Sequence, residues 1–569
     1  MLILLVSISY RGGFFMEEKD IKRIRKRMYS FAYIILLVFS LLGARLFWVS
    51  FIKGDEYSQA ASSQRQKEVR LSMPRGMIYD RNLIPLTNRE KQPTLFIFYK
   101  EIARENENLL EYIKENANMT EDEVASVFDK SSGVIEIPLK EDSPPLEENV
   151  NGVLMASKVE RYHKDNLLSH VIGYVHRSEY TGESGIELAY ENILKMDDEN
   201  GLVSFIVDGK ERPIPGMGVT QVIKDNSGVG NSVQLTVDYH IQKIVEEAMD
   251  SEGRNGAVVV AEVDTGDIVA MASRPNLNQD DVSEHEDSTE MDLYNKAIRV
   301  SYPPGSIFKI VVLLSALEND VVDVDEEFTC DGYEIVMGNR FDCSKADGHG
   351  QLNLKEAFAQ SCNATFIQIG QRLGGKKIIE TAEKLGFGKE ISIGPLTQQS
   401  GRLPEGDDLL GPAIGLISIG QGKIEVTPLQ VTNLVMTIAN RGIKKDLSII
   451  KGSLVSEDGH MIKPWNKDED ERVISTLDSL VLQDFMEEVF SNGTASSLRL
   501  DSIGGAAGKT GSAQAGAHNE IVHGWLSGYF PKDDPKYVIT VFAEDGGSGG
   551  GAAGPIFEKI AKGISKLGK

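Results

Sequence analysis

The sequence predicts an α+β protein with a single N-terminal transmembrane helix followed by two further domains. Three observations lead to this prediction. A long apolar segment follows a basic cluster, strand-like patterns lie near both ends of the C-terminal half, and helical patterns lie between them. A chain of 569 residues is also long enough for about two to four folding units with sizeable cores.

Composition and charge exclude several classes of protein. The chain has 85 acidic and 60 basic side chains, a net charge of −25 and 41% hydrophobic residues. Because phosphate binding needs a basic surface, we expect no nucleic-acid partner. The mixed composition is also unlike that of a disordered, collagenous or disulfide-stapled chain.

The apolar segment at residues 28–52 is long enough to cross a bilayer as a helix. The basic cluster Lys19–Arg27 precedes it, which predicts that residues 1–27 are cytoplasmic and that the chain after about residue 53 is outside. A buried core helix is the alternative. A cleaved signal peptide fits poorly because the apolar run is too long and no small-residue cleavage site follows it.

Residues 1–15, MLILLVSISYRGGFF, do not fit the anchor that follows them. The run Arg11-Gly12-Gly13 can be encoded by purine-rich codons that resemble a bacterial ribosome-binding site. We therefore expect translation to start at Met16.

Residues 60–225 are the first predicted domain outside the membrane. They mix short apolar strands such as Thr94–Tyr99 with acidic helical segments at Asn106–Asn118 and Thr120–Phe128. The composition then turns to Gly, Asp and Asn at Gly218–Gly230, which is typical of a hinge or linker.

Residues 230–569 are the second predicted domain. Asp238 can cap an amphipathic helix, and a strand hairpin with its turn at Asp264–Asp267 follows. Further strands are predicted at His523–Tyr529 and Tyr537–Ala543, before a closing amphipathic helix. Strands at both ends with helices between them predict one antiparallel sheet flanked by helices.

Ser306 and Lys309, in the run PPGSIFK, form the first candidate chemical motif. Pro-Pro-Gly ends an extended segment, so we expect Ser306 at a helix N-terminus and Lys309 one turn later on the same face. A serine hydroxyl needs a base to become a nucleophile, and a desolvated lysine can take its proton. By itself, a Ser-x-x-Lys spacing is expected by chance in a chain this long.

Ser361 and Asn363 form the second motif, in the run Ser-Cys-Asn between two helical patterns. Such a loop can point a hydroxyl and an amide into a cleft, the hydroxyl to relay a proton and the amide to hold a substrate amide. The alternative is an ordinary helix cap, which is the common role of Ser and Asn at such a junction.

Lys509, Thr510, Gly511 and Ser512 form the third motif, in the small-residue run GGAAGKTGSAQ. Glycine lets a ligand or another backbone come close to a strand edge, and the polar side chains offer donors for a carboxylate. A surface lysine in a glycine-rich turn is the alternative.

In this order the three motifs resemble those of the penicillin-recognising serine transpeptidases and β-lactamases. Four other stretches narrow the resemblance to a class B penicillin-binding protein of the penicillin-binding protein 2 kind: Arg75–Asn82, Gly182–Leu194, Cys343–Asn363 and Gly420–Gln430. The resemblance extends from Met16 onward. It implies a single-pass anchor, an elongated non-catalytic pedestal (dimerisation) domain at 60–225, and a transpeptidase domain at 230–569 with a five-stranded antiparallel sheet.

The resemblance further implies a membrane-anchored peptidoglycan D,D-transpeptidase that is a target of β-lactams. Ser306 would attack the penultimate D-Ala carbonyl of a stem peptide ending in D-Ala-D-Ala and later pass the acyl group to an amine of a neighbouring stem. Lys309 would be the base. Ser361 and Lys509 would relay the proton to the leaving amine.

The remaining motif residues would bind the substrate. Thr510 and Ser512 would bind its carboxylate beside Gly511, and Asn363 would hold its amide. The backbone amides of Ser306 and Ser512 would form the oxyanion hole.

The implied partners are stem peptides, β-lactams, the cytoplasmic membrane and a polytopic membrane glycosyltransferase. No metal or organic cofactor is implied. Cys330 and Cys343 could form a disulfide bond outside the cell, and Cys362 is expected to be a packed small hydrophobe. The glycine-rich stretch Gly546–Gly554 lacks the Lys-Ser/Thr of a phosphate-binding loop, so we reject a nucleotide site.

Two alternative functions remain. A β-lactam sensor or β-lactamase would share the three motifs without the pedestal, and a non-catalytic cell-wall scaffold would lose a motif. One large β-lactamase class carries a Glu-x-x-Leu-Asn pattern beyond the second motif. The glutamates in that window of this chain have no Asn four residues later: Glu380, Glu383, Glu390 and Glu405.

The pedestal contains charged residues within its family-like stretches, namely Arg75, Asp80, Glu183 and Glu187. No nucleophile and base can be paired in this region. We therefore expect these charges to hold segments of the pedestal together by hydrogen bonds.

Overall fold

A computed structural model describes residues 18–58, 66–98, 104–130, 134–146, 150, 152–196, 201–208, 214, 219–222, 232–396, 398–455, 460–515 and 521–568. The expected start at Met16 lies outside these residues, as does most of the predicted linker at 218–230. All eight candidate site residues lie within them.

The N-terminal helix is long and fully exposed. It runs from Glu18 to Phe47 and continues as a π-helical turn, Trp48–Ile52, so the basic cluster and the apolar segment form one continuous element. Among the described residues it is the one helix with the length and composition to cross a membrane, and none of its apolar window is buried. This exposure is contrary to the buried-core alternative and fits a lipid-facing surface.

The N-terminal part of the chain contains two small sheets with the strand orders β1-β6-β7 and β4-β3-β5. Its strands are β1 Gln66–Arg70, β2 Ile78–Tyr79, β3 Glu90–Ile97, β4 Ile135–Pro138, β5 Val153–Glu160, β6 Leu202–Ile206 and β7 Val219–Val222, and its helices are Glu107–Asn116, Glu121–Lys130, Ser169–Ile172, Gly185–Ala189 and Glu191–Leu194. Leu109 and Ile113 of the helix Glu107–Asn116 pack on Leu95 and Ile137 of the sheet β4-β3-β5, and these residues belong to a small separate core.

The C-terminal part carries the remaining described strands and the larger core. The strands are β8 Ser232–Leu235, β9 Gly256–Glu262, β10 Ile268–Arg274, β11 Glu327–Cys330, β12 Tyr333–Val336, β13 Asn339–Asp342, β14 Gly350–Asn353, β15 Ile443–Lys444, β16 Ile450–Val455, β17 His460–Pro464, β18 Glu471–Arg472, β19 Ala507–Ala515, β20 Ile521–Phe530 and β21 Tyr537–Ala543. The α-helices are Tyr239–Glu252, Lys309–Glu318, Leu354–Ala359, Asn363–Leu373, Gly375–Lys384, Ala413–Ile417, Pro428–Ala439, Thr476–Ser491 and Gly554–Lys566.

The central sheet has the strand order β10-β9-β21-β20-β19, and every neighbouring pair in it is antiparallel. This confirms the five-stranded antiparallel sheet. Both faces of β9 are buried: Val258 and Val260 face the helices Tyr239–Glu252 and Gly554–Lys566, while Val259 joins the core cluster on the other side. Among the described strands β19 is at the edge of this sheet, so one of its sides has no strand neighbour there.

The N-terminal and C-terminal parts share a four-stranded sheet with the order β17-β16-β8-β2. In it, Ile78 of β2 is paired in parallel with Val233 of β8. Asp80, immediately after β2, accepts a hydrogen bond from the backbone N–H of Tyr239 at 3.1 Å. Strand pairing and this bond therefore join the segment just after β1 to the C-terminal part of the chain.

Buried charges hold segments of the N-terminal part together, as predicted. Arg75 Nε donates to Glu187 at 2.7 Å and Arg161 Nε donates to the other oxygen of Glu187 at 2.8 Å, and the three side chains are fully buried. Asp80 accepts from the backbone N–H groups of Asn82 and Ile84, each at 2.7 Å. The prediction was wrong for Glu183, whose side chain is exposed and which is held through its backbone N–H to Tyr174.

Candidate active site

Ser306 lies in a short 3-10 turn, Gly305–Phe308, that leads directly into the helix Lys309–Glu318. Its side chain is half-buried, whereas its neighbours Gly305 and Ile307 are buried. Gly305 has φ +52°, and a Cβ there would lie 2.4 Å from the carbonyl oxygen of Ser512. Glycine therefore lets the serine turn approach the third motif, which a side chain would prevent.

Two other segments hold the serine turn by hydrogen bonds to its backbone. The backbone N–H of Gly305 donates to Gly420 O at 2.9 Å, and the indole N–H of Trp525 donates to Pro303 O at 3.0 Å. A Cβ at Gly420 would lie 2.1 Å from Gly305 O. The family-like stretch at Gly420–Gln430 thus packs against the backbone of the serine turn.

Lys309 joins the first motif to the second. Its fully buried ammonium donates to Ser361 O at 2.7 Å, to Ser361 Oγ at 3.1 Å and to Asn363 Oδ1 at 2.8 Å. Burial lowers the pKa of Lys309 to about 8. A fraction of this side chain is therefore a neutral amine near neutral pH, which is the form that can accept a proton.

Ser361 lies where the sequence predicted, between the helices Leu354–Ala359 and Asn363–Leu373, and Asn363 is the first residue of the second of these helices. Ser361 has φ +56°, a conformation that is uncommon for a residue with a side chain. It allows the carbonyl and the hydroxyl of the same residue to face Lys309. The amide nitrogen of Asn363 donates to Asp342 O at 3.2 Å, which leaves one of its two N–H groups for a substrate.

The third motif lies in the edge strand β19 and Lys509 is buried, so the alternative of a surface lysine in a glycine-rich turn is wrong. Lys509 pairs with Ser527 and Gly511 with Trp525 of β20. Pairing with a strongly apolar neighbouring strand compensates for the low strand propensity of Gly, Ala and Ser. Glycine at 511 also lets the Pro304 carbonyl approach, since a Cβ there would be 2.9 Å from it.

Lys509 is fully buried and donates to Thr510 O at 3.2 Å. Burial and then the charge of Lys309 hold its pKa well below its usual range. Its ammonium lies 5.5 Å from the ring centre of Phe358, and that of Lys309 lies 5.6 Å from the ring centre of Phe366. In the described parts of the chain, no carboxylate forms an ion pair with either lysine.

The fold thus brings the three predicted motifs to one place. Lys309 is bonded to both side chains of the second motif, and Gly305 touches the backbone of Ser512. Within the described residues, no hydrogen bond joins Ser306 to Lys309 or Lys509 to Ser361. Such bonds commonly form only when the substrate is bound.

Sequence reasoning did not find the contribution of the glycine-rich stretch near the C-terminus. The backbone N–H of Gly549 donates to Ser512 Oγ at 3.2 Å. A Cβ at Gly549 would lie 2.4 Å from Gly511 O and 2.3 Å from Trp525 O. The run of glycines was the available signal, and its physical reason is close packing against the third motif.

A cluster of four potential metal ligands includes Cys362 of the second motif. The ligand atoms of Cys330, Cys343, His349 and Cys362 all lie within 4.8 Å of one another. Cys330 and Cys343 are free thiols, so the disulfide bond that the sequence allowed between them is not formed. Cys362 is buried as expected, but its sulfur lies 3.9 Å from that of Cys343, so it is more than a packing residue.

The donor set fits a tetrahedral zinc ion. Zinc binds thiolates at about 2.3 Å and imidazole at about 2.0–2.1 Å, which separates neighbouring ligand atoms by roughly 3.5–3.8 Å. Here His349 Nδ1 lies 3.5 Å from the sulfurs of both Cys330 and Cys343. A hydrogen bond from Cys362, followed by backbone N–H donors, lowers the pKa of Cys343 and favours its thiolate. Sequence reasoning implied no metal and did not identify this cluster.

Two known protein families match this chain. The family described as "Penicillin binding protein transpeptidase domain" matches residues 256–562. The family described as "Penicillin-binding Protein dimerisation domain" matches residues 70–234. Together they cover the N-terminal and C-terminal parts described above.

Individual relatives and solved structures agree with these matches. The chain is 28% identical to stage V sporulation protein D of Bacillus subtilis, covering 95% of this chain and 85% of the relative. It is 25% identical to the peptidoglycan D,D-transpeptidase MrdA of Acinetobacter baumannii, covering 95% and 88%. The crystal structure of the D,D-transpeptidase domain of a peptidoglycan glycosyltransferase from Eggerthella lenta aligns with a TM-score of 0.62 at 25% identity, covering 87% of this chain and 98% of that one. A ceftriaxone acyl-enzyme complex of penicillin-binding protein A from M. tuberculosis aligns with a TM-score of 0.53 at 25% identity, covering 58% and 79%.

The cysteine cluster predicts that the protein purified in detergent without chelators contains about one zinc ion per chain. Cys330→Ser and His349→Ala should each remove most of this zinc, because each deletes one of four ligands. Elemental analysis by mass spectrometry measures the metal content.

His240→Ala is the matched control, since His240 lies outside the cluster, and it should retain zinc at the wild-type level. Prolonged chelation of the wild type should also lower its unfolding temperature, and added zinc should restore it. A wild-type protein that holds no zinc and whose unfolding temperature does not respond to zinc would contradict the assignment.

Proposed function

We propose a serine acyl-enzyme mechanism for this chain, which belongs to the class B penicillin-binding proteins. The protein is a membrane-anchored peptidoglycan D,D-transpeptidase and a target of β-lactams. The observation that supports the mechanism most strongly is the buried amine of Lys309, which follows Ser306 by one turn and is held by Ser361 and Asn363. This arrangement supplies a base, a proton carrier and a nucleophile in one cleft.

In the first step, Ser306 Oγ attacks the penultimate D-Ala carbonyl of a stem peptide as its proton moves to the neutral amine of Lys309. The tetrahedral oxyanion is stabilised by the backbone N–H groups of Ser306 and Ser512. The peptide bond then breaks. The proton passes through Ser361 and Lys509 to the nitrogen of the terminal D-Ala, which leaves.

In the second step, the amine of a neighbouring stem attacks the ester on Ser306. It loses a proton as the new amide bond forms, and Ser306 recovers its proton. The net reaction exchanges one peptide bond for another, so it requires neither an oxidant nor a nucleotide. Thr510 and Ser512 bind the substrate carboxylate beside Gly511, and the free N–H of Asn363 holds the substrate amide.

The catalytic part lies on the extracytoplasmic side of a single membrane span. The basic residues in the N-terminal half of the helix Glu18–Phe47 favour the cytoplasmic side, and peptidoglycan is extracytoplasmic. A polytopic membrane glycosyltransferase that supplies new glycan strands is the expected partner.

We predict that fluorescent penicillin labels about one site per chain and remains bound for many minutes. The label should persist because no glutamate in the Glu-x-x-Leu-Asn pattern is present to activate water. Ser306→Ala should abolish labelling, as measured by in-gel fluorescence of the membrane protein.

Ser301→Ala, the same substitution in the same segment, should retain labelling at the wild-type level. Rapid turnover of penicillin by the wild type would instead indicate a β-lactamase. Labelling that survives Ser306→Ala would refute the assignment of the nucleophile.

The acylation rate should rise with pH through about 8 and level off above it. Below its pKa of about 8, Lys309 is mostly protonated and cannot accept the serine proton, and above this pH it is mostly neutral. Stopped-flow measurement of penicillin acylation at several pH values tests this.

Lys309→Ala should slow acylation by about 10²–10⁴-fold, the usual contribution of a general base. Lys376→Ala is the matched control, because Lys376 is highly exposed on the neighbouring helix, and it should leave the pH profile unchanged. A rate that does not vary with pH around 8 would count against Lys309 as the base.

The topology predicts that a reporter active only outside the cytoplasm works when fused after residue 569. A reporter active only inside the cytoplasm, fused at the same place, should be silent. The reverse result would show that the orientation of the anchor is opposite to the one proposed.

A further inference from the structure

The turn after the helix Thr476–Ser491 lies against both the second and the third motif. The backbone N–H of Thr494 donates to Ala359 O at 3.2 Å, at the end of the helix that leads into the second motif. The Gln360 side chain donates to Asn492 O at 2.8 Å. This turn is therefore attached to the backbone that presents Ser361.

Glycine at 493 makes this attachment possible. A Cβ there would lie 2.4 Å from Ala359 O, closer than two such atoms can approach. The turn is also close to the glycine-rich stretch, because a Cβ at Gly550 would meet Thr494 O at 3.0 Å. Contacts with two separate elements therefore hold Thr494 in place.

The hydroxyl of Thr494 reaches the third motif. Its Oγ1 lies 2.5 Å from Thr510 Oγ1, a hydrogen bond in which either oxygen could donate. Thr510 is 5% exposed, whereas Thr494 is exposed to solvent. In the described chain, neither hydroxyl has another side-chain hydrogen-bond partner.

We propose that Thr494 is a positioning residue that orients the hydroxyl of Thr510 toward the carboxylate of the substrate or the β-lactam. This inference rests on the proposed function of Thr510. Each hydroxyl carries one proton, and a carboxylate accepts a hydrogen bond more strongly than a hydroxyl does. When the carboxylate binds, the proton of Thr510 points to it and Thr494 donates to Thr510 Oγ1, so the two bonds strengthen each other.

Without the Thr494 hydroxyl, the Thr510 hydroxyl is free to rotate and loses the donor that polarises it. The deficit should appear in the binding of ligands that carry a carboxylate and not in the bond-making step itself. The chemical class recognised through this pair is therefore a small acyl compound with a carboxylate next to the scissile amide.

The test compares Thr494→Val with Thr494→Ser in the full-length protein in detergent, using benzylpenicillin and its methyl ester as probes. Thr494→Val keeps the shape of the side chain but removes the hydroxyl. With benzylpenicillin, it should raise the apparent dissociation constant of the complex that precedes acylation about fivefold, the loss expected for one hydrogen bond between neutral groups, while the maximal acylation rate changes little. With the methyl ester, Thr494→Val should match the wild type.

Thr494→Ser should restore the constant for benzylpenicillin to within about twofold, since it retains the hydroxyl. Ser497→Ala, an exposed hydroxyl deletion in the same segment, should leave both probes unaffected. An unchanged unfolding temperature of Thr494→Val would exclude a general loss of structure.

Two results would overturn the inference. Thr494→Val that acylates with benzylpenicillin as the wild type does would show that the Thr510 hydroxyl needs no positioning. An equal loss with the acid and the ester would show that Thr494 only supports the backbone. A wild-type protein that neither probe acylates would refute the proposed function, and the inference would fall with it, which is a different outcome from the other two.

Discussion

Lys309 has a buried amine with no carboxylate partner among the residues that the structure describes, and this is the constraint on which the rest of the site depends. A buried ammonium is costly, so burial shifts the side chain toward its neutral form, which the proposed mechanism requires. Oxygen acceptors must still be supplied, and Ser361 and Asn363 supply them. A carboxylate at this place would have kept the lysine charged and removed its catalytic use. The left-handed backbone at Ser361 follows from the need to direct two oxygens of one residue at the same amine.

The second constraint is the close approach of three backbones around the nucleophile. Gly305, Gly420 and Gly549 lie where a Cβ would collide with the backbone of a neighbouring segment. The contact at Gly305 places the serine turn against the edge strand β19. The central sheet is buried on both faces, so it gives this edge a rigid support.

The cysteine cluster and the second motif share Cys362, so a metal bound there would have a structural role. Cys362 lies between Ser361 and Asn363, the two residues that bind Lys309. A zinc ion held by Cys362 and by three ligands from the preceding segment would fix the loop in which both acceptors lie. We therefore assign the cluster to the stability of the loop rather than to the transpeptidation chemistry.

The sequence alone determined the membrane anchor, the α+β class, the hairpin β9–β10 and the residue types of all three motifs. These features are local: an apolar run, a strand period, or a serine and a lysine one helical turn apart. The tertiary structure alone decided which acceptors hold Lys309, that the small-residue run of Lys509 is an edge strand, and that Cys330, Cys343, His349 and Cys362 meet. It also brought the hydroxyl of Thr494 to that of Thr510, 16 residues later in the chain. The physical reason is that burial and hydrogen bonding between remote segments depend on how the core packs, and the order of residues within one segment carries little information about that packing.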